Sequence, residues 1–153
     1  MTDLLVKLYE LPAISHFADE QITFRRALTP EKHIIIDWIG THFSAHWQSE
    51  CEVTFATHPV SCFIATRDGD LIGFACYDAT AKGFFGPTGV LETARRGGVG
   101  RHLLLLSLHD MFAQGYAYAI IGGAGPVEFY TRAVNAVEIP GSKPGIYRGM
   151  LRS

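Results

Sequence analysis

The run Arg95-Arg96-Gly97-Gly98-Val99-Gly100-Arg101 stands between an apolar, strand-like stretch and a leucine-rich helical one, and it constrains the fold more than any other segment. Glycines at 97, 98 and 100 let the backbone bend tightly and come close to a ligand. The helix that follows offers its first unpaired N–H groups and the positive end of its dipole, so the junction reads as a cradle for a pyrophosphate. Three arginines in seven residues strengthen that field. Two common phosphate loops do not fit the letters. A P-loop ends in Gly-Lys-Ser/Thr, whereas Gly100 is followed by Arg101-His102, and the third glycine of a GxGxxG dinucleotide fingerprint falls at Leu103.

Around this junction the pattern alternates between strands and helices. Ile22 to Leu28 is a first strand candidate, after which Thr29-Pro30-Glu31 supplies an N-cap, a proline and an early acid for a helix to about Phe43. Ile35, Trp38, Ile39 and Phe43 follow helical spacing, and a second helix is expected from about Ser44 to Phe55. Cys62 to Thr66 and Leu71 to Tyr77 are β-rich runs joined by Arg67-Asp68-Gly69-Asp70, a hairpin with an Asp-Gly turn. A third strand, Gly83 to Glu92, is interrupted by Gly86-Pro87-Thr88-Gly89, and proline inside a sheet is tolerated only at bulges and edges. A helix from about Gly98 to Gln114 carries Val99, Leu103, Leu106 and Met111 on one side and ends at Gly115. Tyr116 to Gly122 is the next buried strand. Pro126 opens a short helix through Phe129-Tyr130 to Val134, where Asn135 suits a left-handed cap. Ala136 to Ile139 and Gly145 to Leu151 are two further strand candidates. Residues 1–21 read as an N-terminal extension packed on a single domain spanning 22–153. Strands alternating with helices around one sheet make an α/β domain of mixed strand direction.

A chain of 153 residues is one domain of ordinary size, and 48% hydrophobic content with 18% charge suits a packed core rather than disorder. A net charge of -2 argues against a nucleic-acid partner. The positive groups gathered at Arg95 to Arg101, and again at Arg148 and Arg152, suit a small anionic ligand better than a polyanion. Cys51, Cys62 and Cys76 are odd in number and form no C-x-x-C pair, so neither a zinc site nor a disulfide framework is expected. Without a signal-peptide pattern or a spanning apolar run, a soluble cytoplasmic protein with no membrane partner is expected.

The letters Arg95-x-x-Gly98-x-Gly100, set where a strand passes to a long helix, resemble the acetyl-CoA motif Gln/Arg-x-x-Gly-x-Gly/Ala of the GCN5-related N-acetyltransferases. The resemblance extends upstream into Phe84 to Glu92 and downstream to Tyr130 and Asn135, and it covers most of the chain from Ile22 onward. It implies a GNAT-like (acyl-CoA N-acyltransferase) α/β fold: a central mixed, mainly antiparallel sheet with a splayed parallel pair, flanked by helices. It implies acetyl-CoA as co-substrate, no metal, and transfer of the acetyl group to a primary amine by direct attack in a ternary complex. The backbone of Arg95, Arg96, Gly97, Gly98, Val99, Gly100 and Arg101 is then expected to hold the pyrophosphate. The interrupted strand at Val90 and Leu91 is expected to orient pantetheine and to donate to the thioester oxygen. Tyr130 matches by position the tyrosine that protonates the departing thiolate in many members of the family.

A phenol with an ordinary pKa near 10 is a slightly weaker acid than a thiol at roughly 8.5, so placement close to sulfur matters more than tuning. The plainer reading of Tyr130, with Phe129 beside it, is an aromatic packed beneath the cofactor. The family often carries an asparagine seven residues before this tyrosine; here that position is Gly123, and the contact is not carried over. Glu92, at the end of the interrupted strand, is a candidate general base, or else a solvated acid ahead of a helix. His42, His46 and Glu50 follow one another at i, i+4 spacing and would share one helical face, with a role toward the substrate favoured over a metal. Trp38, Trp47, Phe43, Phe84 and Phe85 line an acceptor pocket or pack in the core. The acceptor is a small amine or amino acid, with a protein N-terminus or lysine as the next possibility. A non-catalytic acyl-CoA-binding module keeps the cradle but loses the chemistry, and a structural homo-oligomer needs no cofactor. Edge strands at the C-terminus offer pairing across a two-fold axis, so a homodimer is compatible with each reading.

Overall fold

In the computed structural model, which describes residues 1–152, the β-rich runs assemble one sheet and the periodic segments cover both of its faces. The elements among the described residues are β1 (Leu4–Lys7), β2 (Ile22–Arg26), α1 (Lys32–His42), α2 (Ala45–Val53), β3 (Cys62–Arg67), β4 (Asp70–Tyr77), β5 (Phe84–Val90), α3 (Val99–Ala113), β6 (Tyr118–Ile121), α4 (Val127–Val134) and β7 (Val137–Glu138). The strand order is β2-β3-β4-β5-β6-β1-β7, and every neighbouring pair is antiparallel except β5 with β6. This is the mixed, mainly antiparallel sheet with one parallel pair that the resemblance implies.

The period-2 alternation of the strands divides the core in two. Cys62 and Ile64 of β3, with Phe74 and Cys76 of β4, face Ile35, Ile39, Cys51 and Phe55 of the α1–α2 side. Phe63, Ala65, Ala75 and Tyr77 face the other way, toward Leu103, Leu104, Leu108 and Met111 of α3, in a core that also takes in Ala133 and Val134 of α4. Leu103 and Leu108 are fully buried, and truncating either to alanine costs about 2–5 kcal/mol. Asp110 ties α3 to the sheet, accepting from the Arg26 guanidinium at 3.0 Å and from the Tyr77 hydroxyl. The helix that carries the glycine loop is thereby held by apolar contact along its length and by an ion pair near its far end.

Three expectations are corrected here. Residues 1–21 do more than pack on the domain: β1 lies inside the sheet between β6 and β7, with Leu4 paired to Ile121 and Lys7 to Tyr118. A four-residue strand is too short for its alternation to stand out within Leu4-Leu5-Val6-Lys7-Leu8, which is apolar on both parities. At the other end, Gly145 to Leu151 forms no strand. Gly145 and Gly149 take φ of +63° and +74°, and Gly145–Tyr147 makes a 3-10 turn. The C-terminal edge is then the two-residue β7, a short partner for any pairing across a two-fold axis. The third correction concerns α1, whose entry is held by the Glu31 carboxylate, accepting from the Leu28 N–H at 2.9 Å, and not by Thr29. No helix among the described residues is long and apolar enough to cross a membrane.

The parallel pair is the feature that positions the site. β5 and β6 meet only at Phe84–Ile120 and Phe85–Ile121, after which β6 ends and β5 continues alone on that side to Val90. On its other side β5 stays paired with β4, through Ala75–Thr88, Phe74–Gly89 and Gly73–Val90, past a register shift that takes up Gly86-Pro87. The interruption legible in the sequence is thus a bulge beside a splayed gap.

Candidate active site

The glycine loop closes the mouth of that gap. Gly98 caps α3 at φ +86°, a backbone region that costs glycine nothing, and Arg96 takes φ +79°, unusual for a residue with a side chain. Left-handed residues this close together turn successive N–H groups to one side, which makes an anion-binding concavity ahead of the helix N-terminus. A cavity of about 500 Å³ begins here. Arg95, Arg96, Gly98, Val99, Gly100 and Arg101 form one wall and Val90 of β5 another, so seven of the nine residues expected to meet the cofactor are brought together.

Gly97 and Leu91 are not on that wall. The Leu91 N–H is already donated to the Ile72 carbonyl at 2.9 Å, so it is not free for a thioester oxygen. This engagement also identifies the group that is free. Backbone N–H groups alternate sides along a strand; with Leu91 turned to β4, the Val90 and Thr88 groups turn to the gap. The Val90 carbonyl accepts from Arg95 Nε at 3.1 Å, so the first arginine of the motif braces the strand end as well as charging the loop.

A second cavity of about 570 Å³ lies beyond the first, and the two share Trp47, Thr88, Pro126 and Tyr130 as walls. Tyr130 sits on α4 where the two meet. Its side chain is only 5% exposed, packed edge-on against Phe85 at 6.4 Å and Phe129 at 5.0 Å. Burial alone pushes its phenol up to about 12, with no hydrogen bond contributing, so the group is a neutral donor throughout the physiological range. Glu92, expected from the sequence as the base, is exposed on the 3-10 turn Glu92–Ala94 and lines neither cavity. Trp47 lines both cavities, Phe43 the first and Phe85 the second, while Trp38 packs against the α1–α2 core and Phe84 against the turn that follows β6.

Apart from Gly86-Pro87-Thr88 and Tyr130, the walls of the second cavity come from segments that carry no motif. Glu50 of α2 accepts from the Thr80 hydroxyl, and Lys143 and Tyr147 arrive from the C-terminal tail. Tyr147 fits because residue 122 is glycine: a Cβ there would stand 2.7 Å from the Tyr147 hydroxyl and 2.8 Å from the Phe84 ring. Burial, then the charges of Glu50 and Asp3, push the Tyr147 phenol up. Gly123, where the family often has asparagine, is instead held from outside the cavities. Asp3, 7% exposed, accepts the Gly123 N–H at 2.8 Å, and its own N–H is donated to Ser142 Oγ at 2.8 Å. The turn before α4 and the tail are thus both fastened to the N-terminal segment. A lone Asp beside Met1-Thr2 gives no periodicity or spacing that would mark it for this role.

Of the three residues expected on one helical face, only His46 and Glu50 share one, on α2; His42 is set apart, because α1 ends there and Ser44 Oγ caps a new helix by accepting from the Trp47 N–H at 3.2 Å. The side chains that do converge are Cys51, Cys62 and Cys76, fully buried, their sulfurs within 4.8 Å of one another. Cys62 and Cys76 are direct cross-strand partners. Burial holds the Cys76 thiol well above its ordinary pKa, and hydrogen bonding to Cys51 does the same for Cys62. They pack as small apolar groups in the α1–α2 core.

Comparison with known proteins agrees with this geometry. Structures of the same fold include a GCN5-related N-acetyltransferase from Sphaerobacter thermophilus (19% identity over 90% of this chain and 48% of that one, TM-score 0.73). A second is the GCN5-related glucosamine N-acetyltransferase region of a fungal multi-domain beta-N-acetylglucosaminidase (14% identity, 90% and 19%, TM-score 0.73). A third is a GNAT family acetyltransferase from Brucella melitensis in complex with acetyl-CoA (20% identity, 76% and 82%, TM-score 0.51). The chain spans 48% or less of the length of the first two. No curated protein sequence gives a significant match. The model of the acetyltransferase (GNAT) family matches residues 19–133, three quarters of the chain, including the glycine loop, the splayed strand and Tyr130, and the protein belongs to that family.

Proposed function

We propose that the protein transfers an acetyl group from acetyl-CoA to a primary amine of a small molecule or amino acid, by direct attack in a ternary complex. The observation that carries this reading is the meeting of two cavities at Tyr130, one walled by the anion-binding loop and the unpaired side of β5, the other by α2, the β6–α4 turn and the tail. The loop N–H groups, with Arg96 and Arg101, hold the pyrophosphate. The gap between β5 and β6 takes the pantetheine arm, whose amides pair with the Thr88 and Val90 backbone. The Val90 N–H is the donor to the oxygen on which charge develops, a role in which a fixed dipole in a dry site is worth several kcal/mol. Tyr130 gives the thiolate its proton, and enclosure of both reactants replaces a bimolecular encounter with an oriented one. The acetyl-CoA complex of the Brucella melitensis relative, which shares this fold, supports the choice of co-substrate. Walls on several sides of the second cavity favour a small acceptor over a lysine on a folded protein.

The test is calorimetric titration with acetyl-CoA, with free CoA and ADP as controls, followed by thiol release in the presence of amines. Acetyl-CoA at about 100 times its dissociation constant adds roughly 2.7 kcal/mol of stability, visible as a rise in melting temperature. Binding with turnover supports the reading. Binding without turnover by any amine leaves an acyl-CoA-binding module, and no binding by the folded protein overturns both.

A further inference from the structure

The acyl-transfer reading needs a group to take a proton from the acceptor, and Glu92 is outside the cavities. A primary amine has a pKa near 10.4 and enters a site at neutral pH as an ammonium, which has no lone pair to give. Besides Tyr130 and Tyr147, the second cavity has two ionisable side chains on its walls, Glu50 and Lys143. Glu50 is half-buried on α2, with one carboxylate oxygen held by the Thr80 hydroxyl. Lys143 is exposed, at the mouth. The charges near Glu50 are few. His46, one turn earlier on α2, is exposed, and Asp3 stands behind Gly123 beside the tail, close enough that it and Glu50 both act on Tyr147. Trp47, Phe85, Pro87, Ile121 and Met1 make the apolar part of the wall, and the Thr80 and Thr88 hydroxyls beside them are donated to Glu50 and to the Phe74 carbonyl.

Resting on that reading, we propose that Glu50 is the catalytic base and the recognition group for the acceptor, and that the acceptor is a primary amine bearing a single positive charge on an apolar body. One carboxylate at the wall matches one ammonium. Lys143 at the mouth repels a second cationic centre, and the Glu50 carboxylate repels a carboxylate carried beside the amine, as in an amino acid. In the reaction, the ammonium gives its first proton to Glu50. The nitrogen lone pair then forms the C–N bond to the acetyl carbon as the C–S bond breaks, and the electron pair of that bond leaves on sulfur. Sulfur takes the Tyr130 proton, and the second nitrogen proton restores the phenol through water. Glu50 returns its proton to solvent, so one proton is released for each amide and thiol formed.

The experiment compares the wild-type protein with Glu50→Gln and Glu50→Asp, using phenethylamine, phenylalanine and putrescine as acceptors, and measures acetyl-CoA affinity and melting temperature in parallel. The expected result is that phenethylamine has a kcat/KM at least about tenfold above the zwitterion and the dication, a difference of roughly 1.4 kcal/mol. Glu50→Gln lowers kcat/KM for phenethylamine by about 100-fold at near-neutral pH, with the deficit shrinking as alkaline pH supplies free amine, while Glu50→Asp recovers part of the loss. Acetyl-CoA affinity stays within about twofold, because Glu50 is not on the cofactor wall. Equal turnover of Glu50→Gln and wild type across the pH range overturns the role of Glu50 and leaves the transferase reading standing. Preference for phenylalanine or putrescine overturns the substrate class. Acetyl-CoA binding with no turnover by wild type overturns the transferase reading itself, and the proposal with it.

Discussion

Replacing Tyr130 by phenylalanine removes one oxygen from the junction of the two cavities and separates the acid role from the packing role. The ring keeps its edge contacts with Phe85 and Phe129, and nothing in the protein loses a hydrogen bond, because burial alone sets the phenol's pKa. Removing a hydroxyl that opens onto the cavities and makes no hydrogen bond within the protein leaves stability nearly unchanged. The catalytic effect is set by the proton transfer. A phenol pushed up to about 12 is about 3.5 units less acidic than a thiol at roughly 8.5, so full transfer is uphill by about 5 kcal/mol on the aqueous scale. The same apolar walls that raise the phenol also make the departing thiolate more basic, and the mismatch narrows as the two groups share one environment. General acid help under these terms falls toward the lower end of its usual range, and Tyr130→Phe is expected to lower kcat about 100-fold.

Steady-state thiol release with a saturating amine, and calorimetry for acetyl-CoA, read the two halves separately. The acetyl-CoA dissociation constant should move less than about twofold, since only the proton donor is removed. The alkaline side gives an independent check. The folded-state pKa lies above the unfolded value of about 10, so the unfolded chain loses its proton first, and stability is lost as pH rises from about 10 to about 12. Two units correspond to about 3 kcal/mol, and Tyr130→Phe should lose that much less than wild type in urea unfolding at high pH, with the shares of Tyr77 and Tyr116 remaining in both. Turnover equal to wild type refutes the acid role and leaves Tyr130 as packing.

The two halves of the site can be perturbed by adding a single methyl group. Gly89→Ala places a Cβ 2.6 Å from the Phe43 ring on the cofactor wall and should weaken acetyl-CoA binding, while Gly122→Ala, at 2.7 Å from the Tyr147 hydroxyl, should push the tail outward and raise KM for the amine; each should cost about 1–3 kcal/mol of stability. Asp3→Ala leaves the half-buried Gly123 N–H without its carboxylate, and a loss of about 1–3 kcal/mol in chemical denaturation is expected together with reduced kcat; Asp3→Asn, which keeps an acceptor oxygen, should recover most of both. Cys51, Cys62 and Cys76 should resist a thiol reagent in the folded protein and react together on unfolding, so rapid native-state labelling of any one would contradict their burial.

What the sequence made legible was the cofactor half, and the reason is geometric. A loop that turns N–H groups toward an anion needs glycine where φ is positive, and a strand that leaves its neighbour needs a bulge; both requirements write letters, Gly98 in one case and Gly86-Pro87 in the other. The helix ends at Gly115 and Asn135 were readable for the same reason, since each residue takes a left-handed conformation. Beyond Gly86-Pro87, which also lines it, the acceptor half left no such marks. Its walls come from α2, β5, the β6–α4 turn and a tail more than ninety residues from Glu50, and any one of them is a half-buried polar or aromatic side chain like many others. β1 was illegible because four apolar-rich residues carry no period, and Asp3 because its meaning depends on a turn 120 residues away.

The same contrast explains how the fold persists among structures only 14–20% identical to this chain. In the cofactor half the working groups are peptide N–H groups, which every residue but proline supplies, so selection on side chains is confined to the few positions that control backbone direction. Leu91 illustrates the rule: its N–H is committed to Ile72, and that commitment, rather than any side chain, turns the Val90 N–H to the gap. In the acceptor half the working groups are side chains, and they answer to the substrate of each protein. The two kinds of constraint meet at Tyr130, whose hydroxyl is the proposed acid while its ring, packed on Phe85, lines both cavities. A change of acceptor can therefore proceed through α2 and the tail without disturbing the cradle, provided that Asp3 continues to hold the turn from which α4 starts.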